Sequence, residues 1–193
     1  MASLQHDFEI LLFTRRRTCG TIWTMRGEPD VEMRAKVCGF LDELGIEYTC
    51  MEHAPAMTME DCRAVDEALG VNMCKNLFLC NRQQTNFYLL LMPGDKPFKT
   101  KDLSAQLGVA RLSFGTPEHM QAMLGVTPGS VSVLGLLQDQ DHQVRLLIDE
   151  DVLKGERFAC HPCDNRASLC FSTKDLMDKI LPALGHSPKL VQL

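Results

Sequence analysis

The spacing of apolar residues predicts five helices, and each of them ends at or next to a glycine. Apolar side chains recur at helical intervals between Asp30, a potential N-cap, and Gly45. The pair Thr116-Pro117 is typical of a helix start, because a capping hydroxyl precedes a proline at the first helical position. The predicted helices cover residues 30–44, 58–70, 101–108, 116–125 and 173–184.

Short apolar runs bounded by polar or glycine-containing segments predict the strands. The predicted strands cover residues 47–52, 74–80, 87–92, 111–114, 131–137, 143–148, 157–160, 169–172 and 189–192. The second and third runs are joined by a polar segment, as in a β-hairpin. Because helices and strands interleave while several strands meet through hairpins, the expected fold is α/β (α+β), a single compact domain with a mixed sheet flanked by helices.

Composition narrows the class of protein. The chain has 193 residues, 45% of them hydrophobic and 23% charged, which suits one globular domain. A formal net charge of -5 argues against a general nucleic-acid coat protein. No apolar run reaches the roughly 18 residues of a membrane-spanning helix.

The N-terminal segment has no clear pattern before Asp30. Its apolar run precedes the basic run 15–17, the reverse of the order in a secretory signal. We therefore expect residues 1–29 to be a flexible leader, with Met25 as an alternative start, and residues 30–193 to form the domain. A cytoplasmic location also agrees with the odd number of cysteines, nine, at irregular spacings, because that pattern is typical of reduced thiols.

Two segments offer candidate chemistry. Lys75 and Asn76 open a strand that otherwise looks buried, so the lysine is either a strand-end residue with its ammonium in water or a cation directed at an anion. The segment 125–132 contains Pro128 and two glycines, and such a loop can bring backbone N–H groups close to a ligand oxygen. Taken in isolation, the segment is more typical of a plain turn between a helix and a strand.

The segment Cys160-His161-Pro162-Cys163-Asp164-Asn165 allows three interpretations. A zinc site would need a second pair of ligands, which the sequence lacks at a suitable spacing. A redox pair would be expected at a strand-to-helix junction early in the chain. We favour an irregular loop in which His161 and Asn165 point into a cleft while the cysteines fill space.

Taken together and in order, several segments resemble the YbaK/prolyl-tRNA-synthetase-associated editing-domain family, in particular its free-standing ProXp-ala (PrdX) branch. They are KNLFL (75–79), LGVTPGSVS (124–132), HPCDN (161–165) and the closing LPALGHSPKLVQL, with LDELGIEYTCMEHAP (41–55) and ARLSFGTPEHM (110–120) in support. The resemblance runs from about residue 30 to the C-terminus. The Lys-Asn pair is typical of the ProXp-ala branch, whereas YbaK proteins more usually have Lys-Thr.

The resemblance implies a trans-editing hydrolase that cleaves the ester between a wrong amino acid and tRNA(Pro), alanine in this branch and cysteine in the YbaK branch. It implies a partly barrel-like mixed sheet, no metal, no cofactor and no covalent intermediate. The implied partner is the acceptor end of mischarged tRNA(Pro), with prolyl-tRNA synthetase as a further candidate and neither DNA nor membrane involved. Which misacylated amino acid is preferred, and the oligomeric state, stay open at this point.

The family's essential lysine falls on Lys75, its histidine on His161, and its Gly-x-x-x-Pro loop on 129–133. This chain departs from the pattern at Val133, where many members have proline, and at Ser168, where threonine is frequent. The departure at Val133 puts substrate preference and rate in doubt.

The resulting site hypothesis assigns catalysis to one set of residues and substrate binding to another. The catalytic set is Lys75, Gly129 and Ser130, and the substrate-binding set is Asn76, Pro128, Val131, His161 and Asn165. Lys75 would face the terminal adenosine, and the N–H groups of Gly129 and Ser130 would stabilise the oxyanion. The walls of a small pocket are expected around Leu77, Phe114 and Val131.

Two rival hypotheses come from other classes of protein. One is an aminoacyl-tRNA-binding module that has lost hydrolysis, for which Val133 is the sequence hint. The other is a zinc or thiol protein built on Cys160 and Cys163.

Overall fold

A computed structural model describes residues 11–13, 29–55 and 59–193 of the chain, and within them nine strands form two sheets. The strands are β1 (Leu11–Phe13), β2 (Thr49–Glu52), β3 (Cys74–Cys80), β4 (Phe87–Pro93), β5 (Ser113–Phe114), β6 (Val144–Asp149), β7 (Arg157–Cys160), β8 (Ala167–Ser172) and β9 (Lys189–Val191). The helices are α1 (Pro29–Glu43), α2 (Met59–Leu69), α3 (Thr100–Leu107), α4 (Pro117–Leu124), α5 (Thr173–Asp175) and α6 (Leu181–Ala183). Two 3₁₀ helices, Val133–Leu137 and Glu150–Lys154, and a π-helical turn, Leu176–Ile180, complete the described elements.

The two sheets differ in the direction of their strands. The four-stranded sheet has the order β1-β2-β8-β7 and is antiparallel throughout. The five-stranded sheet has the order β5-β3-β4-β6-β9; β6 runs parallel to both β4 and β9, whereas β3 is antiparallel to its neighbours. The predicted mixed α/β fold is therefore confirmed, but the strands are divided between two sheets.

The main hydrophobic core lies between the sheets. Alternate residues of β3 and β4 such as Phe78 and Leu89 face Phe158 and Leu169 of the four-stranded sheet, and all four are buried. A second cluster covers the outer face of the five-stranded sheet under α3, and a third lies between the four-stranded sheet and α2. Each sheet thus buries both faces, which explains why β3 and β4 are almost continuously apolar.

Most predicted elements are confirmed within a few residues. The hairpin of β3 and β4 pairs Cys74 with Pro93 and Cys80 with Phe87. The start predicted at Thr116 is confirmed, because its hydroxyl accepts a hydrogen bond from the His119 N–H at 3.4 Å. The first helix begins at Pro29, so Asp30 lies in its first turn, and the cap predicted at Thr58 lies outside the described residues.

The strand predicted over 131–137 is wrong. The chain there forms a 3₁₀ helix whose N-cap is Ser132 and whose residues Val133 to Leu136 are all buried. A short apolar run buried on every side has no strand alternation to distinguish it from a helical turn. Gly135 lets this helix pack closely against α4, because a Cβ atom there would lie 3.1 Å from the Leu124 carbonyl oxygen.

Two further differences concern the ends of the chain. The strand β1 lies inside the segment predicted as a leader and pairs antiparallel with β2. The helix predicted from Thr173 runs through residues 173–183 and is capped by Ser172, but its middle is a π-helical turn.

Candidate active site

Lys75 and Asn76 are neighbours on β3, so their side chains leave the five-stranded sheet on opposite faces. Lys75 is paired with Met92, which belongs to the cluster under α3, whereas Asn76 is paired with Leu91, which belongs to the core between the sheets. Both side chains are half-buried. The pair therefore brings a cation and an amide to one strand end but directs them to different surroundings.

The Lys75 ammonium group contacts the loop that follows β4. It donates a hydrogen bond to the Lys96 carbonyl oxygen at 2.7 Å, and none of the carboxylates in the described part of the chain forms an ion pair with it. Lys96 itself forms ion pairs with Asp149 at 2.8 Å and Asp151 at 2.5 Å. Because the Asp149 carboxylate is buried, this ion pair fixes the loop that orients Lys75.

Asn76 connects β3 to the segment that was predicted to bind the substrate. Its Oδ1 accepts a hydrogen bond from the Val133 N–H at 2.9 Å, and its Nδ2 donates to the Cys74 carbonyl oxygen at 3.0 Å. A proline at position 133 would have no N–H to donate. The departure from the family pattern at Val133 thus supplies the hydrogen bond that holds this segment against β3.

Residues Thr127 to Ser130 form a tight turn immediately before that hydrogen bond. The Ser130 N–H donates to the Thr127 carbonyl oxygen at 3.0 Å, Pro128 occupies the second position, and Gly129 has a positive φ of 94°. This is the pattern of a type II turn. The turn therefore uses the Ser130 N–H internally, while the Gly129 N–H has no acceptor among the described residues.

His161 lies in the loop between β7 and β8. Its Nδ1 donates to the Ala167 carbonyl oxygen at 2.8 Å, so Nε2 is unprotonated when the ring is neutral. Burial lowers the pKa of His161, and the nearby His53 ring, 6.0 Å away between centroids, adds to the lowering. At neutral pH the ring therefore offers a hydrogen-bond acceptor.

The same loop is held by ion pairs that the sequence did not reveal. Asp164 is buried and pairs with Arg166 at 2.9 Å and, more weakly, with Arg34 at 3.9 Å. Arg34 also binds Glu52 at 2.8 Å. Since Arg34 and Glu52 lie more than a hundred residues from Asp164 in the chain, no local motif could indicate this network.

The cysteines of this loop lie in the protein interior. Cys160 and Cys163 are both fully buried. Burial raises the pKa of Cys160, against a smaller lowering by a hydrogen bond with Ser132. Among the residues that the structure describes, no three His, Cys, Asp or Glu side chains are grouped so that they could hold a metal ion.

The structure brings most of the predicted site together through the segment 129–133. Asn165 lies beside Gly129, since a Cβ atom on that glycine would be 3.5 Å from the Asn165 Nδ2. Ser132 reaches Cys160, the residue before His161. The side chain of Val131 packs against the core between the sheets. Asn76 and Asn165 thus both lie next to the segment of the turn, and His161 follows Cys160 in the adjoining loop.

Other predicted residues are not brought together. Leu77 packs in the cluster under α3, on the opposite face of the sheet from Val131, and Phe114 lies at the sheet edge with 58% of its surface exposed. These three residues therefore cannot form one pocket wall, and that expectation is wrong. A cavity of about 440 Å³ lies instead against α1 and is lined by Arg34, Asp164 and His53, with no predicted site residue among those lining it.

Comparisons with known proteins place this geometry in a family. Residues 53–179, well over half of the chain, match the model of the aminoacyl-tRNA editing domain. The chain belongs to the aminoacyl-tRNA editing domain family. The matched segment includes Lys75, the turn at Gly129 and the loop of His161.

Individual relatives extend the similarity beyond the matched segment. The chain is 34% identical over 164 residues to the prolyl-tRNA editing protein ProX of Acetoanaerobium sticklandii, which covers 85% of this chain and 99% of that protein. It is 31% identical over 161 residues to prolyl-tRNA synthetase associated domain-containing protein 1 of Mus musculus, covering 81% of this chain and 94% of that one.

A solved structure confirms the fold of this editing-domain chain. The crystal structure of a proposed trans-editing enzyme for prolyl tRNA synthetase superimposes with a TM-score of 0.61 at 20% identity, covering 83% of this chain and 97% of the other. None of the helices in the described ranges is both long enough and apolar enough to cross a membrane.

Proposed function

We propose that this protein is a trans-editing deacylase that hydrolyses the ester of mischarged tRNA(Pro), with Ala-tRNA(Pro) as its main substrate. The observation that supports it most directly is the hydrogen bond from the Val133 N–H to Asn76, because it joins the Lys75-Asn76 pair to the glycine turn. The relative named as a prolyl-tRNA editing protein, which aligns over nearly its whole length, supports the choice of tRNA. The editing domain would comprise residues 30–193 and act in the cytoplasm, where tRNA is charged.

In this proposal Lys75 binds the terminal adenosine phosphate or orients the attacking water. An ammonium held by one carbonyl oxygen can exchange that partner for an anion, and a charge-assisted hydrogen bond to phosphate is the stronger of the two. Lys75 would therefore leave the Lys96 carbonyl oxygen when the substrate arrives.

Gly129 supplies the main oxyanion donor in the proposal. Its N–H is available, whereas the Ser130 N–H closes the turn and reaches a ligand only when it leaves Thr127. Removing one hydrogen-bond donor to an oxyanion costs about 2.7–4 kcal/mol of transition-state stabilisation. Pro128 pre-forms the turn because its ring fixes φ.

The remaining residues would bind the aminoacyl-adenosine. His161, neutral through burial, can accept a hydrogen bond from the aminoacyl ammonium at Nε2. Asn165 and Val131 border the turn and would contact the small side chain, while Asn76 holds the turn in place. Water would attack the ester without a covalent intermediate, assisted by the neighbouring ribose hydroxyl of the substrate.

Selectivity in this proposal depends on the size of the pocket. Loss of one methylene group changes binding by only about 1–3 kcal/mol, so a synthetase active site cannot reject the smaller alanine fully. A second site that admits alanine and excludes proline would complete the discrimination. Association with prolyl-tRNA synthetase would deliver the substrate.

A binding module without hydrolysis is the second candidate, and Val133 is the observation in its favour. Its hydrogen bond to Asn76 replaces the ring constraint that the family's proline provides. If valine in place of proline moves the Gly129 N–H away from the ester, mischarged tRNA would be bound but not hydrolysed.

The test is deacylation of Ala-tRNA(Pro), Cys-tRNA(Pro) and Pro-tRNA(Pro) with metal chelated, by the wild type, Lys75→Ala and Cys163→Ala. We expect rapid loss of the alanyl ester alone, a loss of that activity by at least two orders of magnitude in Lys75→Ala, and normal activity in Cys163→Ala. Fast loss of the cysteinyl ester would reassign the substrate. Survival of all three esters with the wild type would overturn hydrolysis in favour of the binding module.

A further inference from the structure

Phe114 is an exposed aromatic residue on β5, the edge strand of the five-stranded sheet. Its side chain is 58% exposed, and its ring meets that of Phe98 edge-on, with 6.3 Å between centroids. Phe98 packs against the cluster under α3, so it supports one side of the exposed ring. A single exposed apolar residue is common and does not by itself indicate a binding site. The residues around Phe114 are therefore the evidence for a function.

Those surroundings are basic. Lys99, Lys101 and Arg111 are exposed, and none of them forms an ion pair with a described carboxylate. The Arg111 Nε donates to the Thr100 Oγ1 at 3.4 Å, which keeps the guanidinium next to the start of α3. Apart from Lys96, which pairs with Asp149 and Asp151, the segment 95–114 contains three basic and two acidic residues, a net charge of +1, in a chain whose net charge is -5.

The exposed ring lies on the same face of the sheet as Lys75. Phe114 is paired with Leu79, which is four residues from Lys75 on β3, so the two side chains are separated by about 14 Å along the strand. The Lys75 ammonium also contacts the carbonyl oxygen of Lys96, two residues before Phe98. A chain bound at Lys75 can therefore continue across this face to the sheet edge.

We propose that Phe98, Lys99, Arg111 and Phe114, here called the aromatic-basic edge, dock the unpaired nucleotides at the 3′ end of the tRNA. An unpaired base stacks on the Phe114 ring, and the phosphates follow Lys99 and Arg111. Proteins that bind single strands combine these two elements, aromatic rings for the bases and basic side chains for the backbone. This inference rests on the proposed function, since tRNA is the substrate that supplies such an end.

The geometry favours a single strand over the other occupants of an exposed edge. Bases inside a duplex have both faces covered by their neighbours, so they cannot stack on Phe114. A symmetric dimer through this edge would bring Lys99 and Arg111 of both copies together, and like charges oppose that contact.

The test measures fluorescence anisotropy of two labelled probes, a short single-stranded RNA with the sequence of a tRNA 3′ end and uncharged tRNA(Pro), over a range of salt concentrations. We expect Phe114→Ala to weaken binding of the short RNA by about 5- to 100-fold, and Phe114→Trp to retain it. Arg111→Gln should reduce the slope of log K against log salt by about 0.7.

The opposite edge of the same sheet provides matched controls. Leu190 on β9 is 45% exposed, and Lys189 beside it is exposed without an ion pair among the described residues. Leu190→Ala and Lys189→Gln should bind both probes as the wild type does. Thermal unfolding of every variant checks the fold. We expect little change in Phe114→Ala, because an exposed ring contributes little to stability.

The inference is overturned if Phe114→Ala binds the short RNA as tightly as the wild type, or if it changes only the oligomeric state. A wild type that deacylates nothing, together with loss of RNA binding in Phe114→Ala, would refute the proposed hydrolysis and support the docking surface. Normal deacylation by the wild type, together with unchanged RNA binding by Phe114→Ala, would support the proposed hydrolysis and refute the docking surface.

Discussion

Lys75 and Asn76 follow each other on β3, yet the structure holds them by different means. Asn76 makes two hydrogen bonds to backbone groups, one on its own strand and one on Val133. Lys75 makes a single hydrogen bond to a loop carbonyl oxygen, and the loop is in turn held by ion pairs. Asn76 therefore has a structural attachment, whereas Lys75 keeps a charge that can change partners.

We expect the largest change in stability and activity when Lys96, which anchors the loop that binds Lys75, is replaced. Lys96→Met leaves the buried Asp149 carboxylate without its cation, so we expect the free energy of unfolding to fall by about 3 kcal/mol. Deacylation should fall as well, because the carbonyl oxygen of residue 96 no longer orients Lys75. Urea unfolding and initial deacylation rates measure the two effects.

Lys154→Met is the matched control for this variant. Lys154 also pairs with Asp151, but its side chain is 77% exposed and it makes no contact with Lys75. Its removal should change stability far less than the loss of Lys96, because solvent screens an exposed ion pair, and it should leave activity unchanged. If both variants behave alike, the ion pair of Lys96 does not hold the loop.

The next largest effect should distinguish Asn76 from Lys75 by the stability of their variants. Asn76→Ala leaves the Val133 N–H without an acceptor, which should cost about 1–3 kcal/mol of stability. Lys75→Met keeps the methylene groups and frees only one half-buried loop carbonyl oxygen, so its stability should stay within about 1 kcal/mol of the wild type. Equal losses in the two unfolding curves would mean that Lys75 is as structural as Asn76.

The smallest expected effect is on the pH dependence of deacylation, through His161. Burial lowers the pKa of His161, so its ring should stay neutral as the pH falls to the ordinary value of 6.5. If Nε2 must accept a hydrogen bond, kcat/KM for Ala-tRNA(Pro) should hold down to that pH and decline only below it. A decline already centred above 6.5 would contradict this assignment, and His161→Gln should remove the acidic limb.

The comparison also shows what could be predicted from the sequence. The hairpin of β3 and β4 and the start of α4 at Thr116 follow from local patterns, turn residues and a cap, and both were predicted. The residues 131–137 were predicted as a strand because an apolar run of β-branched and leucine residues has no periodicity that separates a buried strand from a buried 3₁₀ turn.

The candidate site was also predictable only in part, because local patterns do not show which distant residues meet in the fold. Lys75, Gly129 and His161 could be named because they match short family segments. The residues that hold them could not. Lys96, which binds Lys75, is anchored by Asp149, and Arg34 pairs with Asp164 in the loop of His161, so both connections join distant parts of the chain. The opposite directions of Lys75 and Asn76 follow from strand alternation once β3 is known, but the faces they meet depend on the division into two sheets.

The hydrogen bond of Val133 has a consequence for temperature. A proline ring restrains a loop covalently, and it lowers the entropy of the unfolded chain at every temperature. The bond from the Val133 N–H to Asn76 is a reversible contact that opens more often as the protein is warmed. The proposed editing activity would therefore be lost on heating before the fold itself melts, since the glycine turn would loosen while both sheets remain intact.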